Sequence, residues 1–213
     1  MPELPEVETV RRGLAHFLTG YTFRTAQDLH PRVLKPASIA PLSAVSGARI
    51  KGINRRGKFL WIELDRDQAL VAHLGMSGQF LVARKDRPEP GHVRARFALK
   101  KGLKSHELVF SDQRTFGWLS VEELSDGVPT SALHIAVDPF DPAFDRDAVI
   151  AKMKSRKAAI KSVILNQEIM SGVGNIYADE SLWRAKIHPE VAACDLSVKK
   201  ISALVDAATE VMA

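Results

Sequence analysis

Between residues 22 and 122 one pattern returns again and again: a short apolar run, often alternating as in KFLWIEL, closed by Gly, Pro, Asp or Asn. Alternation is the two-residue period of a half-buried strand, and the punctuation is that of tight turns. The runs fall near 22–28, 45–54, 58–65, 69–74, 79–84, 93–99, 107–111 and 117–122. Their number and spacing predict an antiparallel sandwich or barrel. The period differs on either side of this block. Leu4, Val7, Val10, Leu14, Phe17 and Leu18 recur at helical spacing. Pro5 suits a first turn and Gly20 a position just past the end, which predicts a helix over 5–18. After the strands, the segment DGVPTSALHIAVDPFDPAFD has the prolines and aspartates of a linker. Beyond it the spacing of apolar residues predicts helices near 156–168, 176–185 and 197–212. The expected fold class is α+β: an N-terminal helix plus antiparallel β-sandwich domain over 1–130, a linker over 131–144, and an all-helical domain over 145–213. The last helix reaches Val211, Met212 and Ala213 with no Gly cap and no polar tail, so further chain is expected to cover it.

Composition narrows the function classes. Hydrophobic residues make up 46% and charged residues 26%, which excludes disorder as the main state. No stretch is long and apolar enough to predict a membrane span. Thirty Lys+Arg against 25 Asp+Glu leave a formal charge of +5, a surplus that suits a polyanionic partner. One cysteine, Cys194, cannot form an internal disulfide or a cysteine-based zinc site, and the seven His are scattered. No Ser/His/Asp set and no Gly-rich nucleotide loop is present. The opening MPELPEVETV is acidic rather than basic-then-apolar, so a cytoplasmic address is expected.

Several residues carry chemistry. Removal of Met1 would leave Pro2 as a secondary amine titrating near ~8. Attack by such an amine on an aldehyde-level carbon gives an iminium ion, which is covalent catalysis without a lysine. Glu3, beside it, is a carboxylate able to move protons. Lys58, in NRRGKFLWIEL, stands at a strand mouth next to Arg55 and Arg56, where it can meet a phosphate or give up a proton. Met76 lies between Gly75 and Gly78 in HLGMSGQF, and Arg114 and Phe116 precede Gly117 in SDQRTFGWL. Apolar wedges with an arginine are what unstacking a base pair requires. KMKSRKAAIK at 152–161 has five basic residues and no acid. In NQEIMSGVGNIYADESLW, Gly172 and Gly174 form a tight turn, Asn175 is expected to cap the next helix, and the amides of that helix start are expected to attract a phosphate.

Taken together, MPELPEVETVRRGL, RRGKFLWIEL, HLGMSGQF, SDQRTFGWL and SGVGNIYADESLW resemble the formamidopyrimidine-DNA glycosylase (Fpg) family along essentially the whole chain. The resemblance implies a base-excision repair glycosylase and AP lyase that removes oxidised purines from duplex DNA. It implies Pro2 as the nucleophile at C1′, Glu3 as the proton donor, Glu6 as a supporting carboxylate and Lys58 as the proton donor for β-elimination. Met76, Arg114 and Phe116 would fill the gap left by the flipped nucleotide, with Arg114 on the orphaned cytosine. His92 would contact DNA, although Pro90 stands where family members often carry a second His. The last block resembles the family's helix–two-turn–helix, which would place phosphate contacts at Asn175, Arg156 and Lys161, while Glu180 and Trp183 read as structural. Family members end in a four-cysteine zinc finger, so the resemblance implies a structural zinc C-terminal to residue 213 and none within this chain. It also implies a monomer acting on damaged double-stranded DNA, with no membrane partner, in a bacterial cytoplasm or nucleoid. Two other readings stay open: an endonuclease VIII-like enzyme for oxidised pyrimidines, disfavoured by Leu4 and by the Met/Arg/Phe set, and a finger-less, non-catalytic fragment that binds damaged DNA.

Overall fold

The computed structural model describes residues 2–83 and 90–213. Met1, and the last residue of the strand expected over 79–84, lie outside the described residues. The chain divides into two compact units. The first holds Pro2, Glu6–Arg55 and Phe59–Leu133; the second holds Glu3–Pro5, Arg56–Lys58 and His134–Ala213.

The first unit has two antiparallel sheets. One runs β1 (Thr22–Asp28), β6 (Val93–Lys101), β7 (Lys104–Asp112), β5 (Gly78–Ala83). The other runs β2 (Ile50–Arg56), β3 (Phe59–Leu64), β4 (Gln68–His73), β8 (Trp118–Ser125) and the short β9 (Val128–Pro129). Their inner faces share a core that contains the fully buried Phe23, Phe97, Phe110, Leu60 and Leu70. Helix α1 (Leu4–Leu18) adds Val7, Leu14 and Leu18 to that core. Gly20 follows it with φ +84°, as its position in the sequence predicts. Phe17 departs from expectation. Leu14 and Leu18 occupy the inward stripe at i, i+4, and Phe17, one step off it, is left 47% exposed.

Topology sets two loops side by side. The β4–β5 and β7–β8 connections each cross from one sheet to the other. His73 pairs with Trp118 in one sheet and Gly78 with Asp112 in the other, so both crossovers leave the sandwich at the same end.

The second unit holds helices α2 (Arg146–Lys154), α3 (Ile160–Ile164), α4 (Asn175–Arg184) and α5 (Val198–Met212) around Met153, Ile164, Met170, Leu182 and Leu204. The helices expected near 176–185 and 197–212 are α4 and α5. The helix expected over 156–168 is corrected to the single turn and a half of α3. Its first residues pair instead with a distant strand-like segment. Ala159 bridges Ala192, and the amides of Ala193 and Cys194 donate to the carbonyls of Ala158 and Arg156 at 3.0 and 2.9 Å. Helix α2, not anticipated, begins where the Asp145 carboxylate accepts from the Ala148 amide at 2.9 Å, an N-cap contact. Residues 134–144 belong to this unit: the Ala136 amide donates to Gln167 O at 2.9 Å, and Asp138 is buried.

Candidate active site and nucleic-acid interface

Glu3 is 2% exposed, and the structure explains how a carboxylate tolerates that. Its Oε2 accepts from the Gly174 amide at 2.7 Å and the Tyr177 amide at 3.2 Å, while Oε1 accepts from the Ile176 amide at 2.8 Å. These N–H groups are orphan donors at the start of α4, and a negative charge there meets the positive end of the helix dipole. The expectation that Asn175 caps this helix is therefore corrected. Gly174 is the N-cap residue with no side-chain cap bond, Asn175 is an exposed first residue of the helix, and the cap is supplied by Glu3 from the other end of the chain. The amides expected to draw a phosphate are occupied by this carboxylate.

Lys58 meets the same turn. It is 8% exposed, and its Nζ donates to the Val173 carbonyl at 2.8 Å. Val173 O and Gly174 N belong to one peptide group, so the ammonium sits at the oxygen end of its dipole and the Glu3 carboxylate at the N–H end. Burial pushes the Lys58 ammonium below the ordinary lysine range, and the nearby charge of Glu3 opposes that shift.

Close packing makes the arrangement possible. Gly172 has φ +97°, and a Cβ there would stand 2.3 Å from Leu4 Cδ1. A Cβ on Gly174 would stand 2.4 Å from Glu3 Cδ. The Leu4 amide donates to Gly172 O at 3.1 Å, which anchors the residue after Glu3. Gln167, a residue the motif reading passed over, ties the turn internally: its Oε1 accepts from the Gly172 amide, and its Nε2 donates to Leu165 O and Val173 O.

Pro2 is half-buried and peptide-bonded to Glu3. Glu6 is exposed on the first turns of α1. In the first unit, Glu8 bonds Arg11, Arg12 and Arg55, and these partners, Arg11 foremost, hold its carboxyl at about 2 against the opposing effect of burial.

The wedge residues come together at the two adjacent crossovers. Met76 and Phe116 are 42% and 55% exposed, unusual for side chains of this type, and the Arg114 guanidinium lies 5.5 Å from the Phe116 ring centroid. A Cβ on Gly75 would stand 2.5 Å from the Gly117 amide nitrogen, so the loops touch backbone to backbone. Asp112 organises them. It is fully buried; Oδ2 accepts from the Gly117 amide at 2.7 Å, and Oδ1 accepts from Ser77 Oγ and from the Arg114 amide at 3.3 Å. Ser77 Oγ in turn accepts from the Arg114 amide at 3.0 Å. The Asp112 amide donates to His92 O at 3.0 Å, which brings the exposed His92, itself at φ +57°, beside the same loops. Thr115 has φ +55°, a strained conformation for a β-branched residue, at the turn that presents Phe116. Asp112 and Ser77 were not among the sequence candidates. The signal was there: an Asp two residues before Arg114 is a side-chain-to-backbone turn former.

Arg156 and Lys161 lie elsewhere in the second unit. Arg156 is exposed; Lys161 Nζ pairs with Asp179 Oδ1 at 2.6 Å. A zinc site does not fit these residues. Cys194 is the sole cysteine of the sequence, its Sγ faces Asp195, and among the described residues no group of three or more His, Cys, Asp or Glu could hold a metal. Among them, too, no helix is long and apolar enough to cross a membrane.

A strand sandwich that carries exposed apolar wedges and a helical unit with an N-terminal carboxylate at a helix start define a particular class of protein. Residues 1–119 match the formamidopyrimidine-DNA glycosylase N-terminal domain, and residues 135–213 match the formamidopyrimidine-DNA glycosylase H2TH domain. The chain belongs to the formamidopyrimidine-DNA glycosylase family. It is 46% identical over 217 residues to the formamidopyrimidine-DNA glycosylase of a Nocardioides species, covering 100% of this chain and 73% of that protein. With the Mycobacterium avium enzyme of the same name it shares 48% over 220 residues, covering 100% and 76%. Among solved structures it resembles Lactococcus lactis Fpg in complex with abasic-site DNA, with a TM-score of 0.83 and 31% identity over 99% of this chain and 78% of that one.

Proposed function

We propose that this protein is a base-excision repair DNA glycosylase and AP lyase that removes oxidised purines, 8-oxoguanine and formamidopyrimidines, from duplex DNA as a monomer in the bacterial cytoplasm. The observation that carries the reading is the single peptide group between Val173 and Gly174, which holds Lys58 at one end and Glu3 at the other, with Pro2 bonded to Glu3. The solved neighbour that binds abasic-site DNA supports the choice of substrate.

In this mechanism the Pro2 nitrogen forms a bond to C1′ as the damaged base leaves. Glu3, held as an acceptor by three amides, takes the proton that the nitrogen sheds and returns it to the sugar ring oxygen as the ring opens to the iminium ion. Water then takes a C2′ proton, the freed electron pair forms the C2′–C3′ double bond, and the C3′–O bond breaks, with Lys58 giving its proton to the departing 3′ phosphate. A buried lysine with a depressed affinity for its proton gives it up more readily than a solvated one. Met76, Arg114 and Phe116 occupy the space left by the flipped nucleotide, which offsets part of the roughly few kcal/mol needed to unstack it. His92, Arg156, Lys161 and Asn175 contact the DNA, and Glu6 supports the acid–base chemistry.

Borohydride trapping on duplexes carrying one 8-oxoguanine or one abasic site tests this. The expected result is a covalent adduct on both, lost in Pro2→Gly. Full strand nicking by Pro2→Gly would refute the nucleophile. An adduct on the abasic duplex alone would remove base excision from the activities of this chain. No adduct on either from a folded, Met-processed protein would leave a non-catalytic binder.

A further inference from the structure

At the opposite end of β7 from Asp112, the first unit carries a second surface of distinct chemistry. An open groove of about 750 Å³ lies between the C-terminal end of α1 and the β6–β7 hairpin. Its apolar part is made by Phe17, left half-exposed by its place off the α1 stripe, and by Leu103, fully exposed at the hairpin tip. Tyr21 underlies it, packed on His106 at 4.9 Å between ring centroids, and His16 stands edge-on to Phe17 at the same distance. The cations gather around this apolar part. Lys101 Nζ donates to Thr19 O at 3.1 Å, with Lys104 across the hairpin. A Cβ on Gly20 would meet Lys101 Nζ at 3.0 Å and Arg49 Nη2 at 3.8 Å, so two cations converge over that glycine. Among the described residues that line it, none is acidic.

A half-exposed Phe and a fully exposed Leu in one concave site, both available to a partner, mark an interaction surface. The chemistry narrows the partner. Single-stranded nucleic acid would need a row of open aromatic faces for successive bases, and Phe17 offers only one. Tyr21 is only 5% exposed and its ring is covered by His106 and Lys101, while Leu103 would lie against phosphates it cannot solvate. A peptide with carboxylates flanking an apolar or aromatic side chain satisfies both parts at once.

We propose that this groove is a docking site for an acidic peptide segment of a partner protein, anchored by an apolar side chain between Phe17 and Leu103 and held by Lys101 and Lys104. The site is independent of the wedge loops. β7 runs from Lys104 at the groove to Asp112 at the loops, a span of about 26 Å at strand rise. The protein can thus hold the peptide while the other end of the sandwich is engaged.

Fluorescence polarisation of a labelled, aspartate-rich peptide ending in Phe, titrated with the full chain, tests the proposal. Saturable binding in the micromolar range is expected, weakening steeply with salt and falling at least about tenfold in Lys104→Glu and in Leu103→Asp. Both positions are exposed at the hairpin tip, so these variants fold even if Lys101→Glu, which loses its bond to Thr19, does not. Nicking of lesion DNA by the variants should equal that of the parent, which separates failure at this groove from failure of the proposed repair activity. No saturable binding up to millimolar protein, binding indifferent to both substitutions, or displacement of the peptide by a single-stranded oligonucleotide as effectively as by unlabelled peptide would each overturn it.

Discussion

Replacing Asp112 with Ala removes one carboxylate and strands two donors, the Gly117 amide and the Ser77 hydroxyl, while the Arg114 amide keeps its bond to Ser77 Oγ. The Gly117 amide is buried, and leaving it unpaired costs about 1–3 kcal/mol; the Ser77 hydroxyl is nearer solvent and adds less, for about 3 kcal/mol in all. That is a fall of roughly 10 °C in the melting of the first unit. Asp112→Asn should sit between. Its carbonyl can keep the Gly117 bond and its amide can donate to Ser77 Oγ, so about 1 kcal/mol is expected. The two loops should lose register before the sheets melt, so amide exchange at Gly117 rises first. Under the proposed mechanism, excision of 8-oxoguanine and preference for the opposite base both drop in Asp112→Ala, whereas trapping on a preformed abasic site falls less because it needs no base eviction. Thermal unfolding by circular dichroism and single-turnover nicking on the two duplexes check this. An Asp112→Ala protein with the parent's melting temperature and opposite-base preference would refute the assignment of Asp112 as the support of the wedge loops.

Gly174→Ala keeps an extended backbone that alanine adopts freely, so any effect is steric: the new Cβ would displace the Glu3 carboxylate and free three amides, at about 2–3 kcal/mol, read as a lower unfolding midpoint in urea together with lost base excision. Lys58→Met should abolish β-elimination without loss of stability at pH 7, because Val173 O retains its bond from Gln167. Burial lowers the folded-state affinity of Lys58 for its proton, so the parent gains stability as pH rises from that lowered value toward the ordinary lysine range of 10.5. The gap between parent and Lys58→Met should therefore close with rising pH, and a variant least stable at pH 7 would contradict this. Glu8, held at about 2 against an unfolded 4.5, contributes stability that is complete above the higher value and lost as pH falls through the lower. The stability deficit of Glu8→Gln at neutral pH should vanish by about pH 2, and a deficit that persists there would count against the arginine cluster as its cause.

Local pattern was enough for much of the fold. The alternation over 22–122 set eight strands near their places, because the period of a half-buried strand is written in adjacent side chains; the strand expected over 45–54 is corrected to Ile50–Arg56, since Leu42–Val45 form a short 3-10 turn and the chain reaches the sheet only at Ile50. The stripes of α1 and α5 and the turn at Gly20 are local for the same reason. Met76 and Phe116 stand beside turn glycines in their motifs, but only the fold shows that their side chains are left exposed there. Tertiary structure decided what depends on acceptors distant in sequence. The sequence alone offered Asn175 as the cap of α4, yet the cap is Glu3, separated by 171 positions from the Gly174 amide it accepts. Lys58 finds its carbonyl 115 positions away, and residues 156–159 give up helix for pairing with 192–194. A helix terminus or a buried charge must be satisfied by something, and which group arrives is fixed by packing rather than by neighbours along the chain.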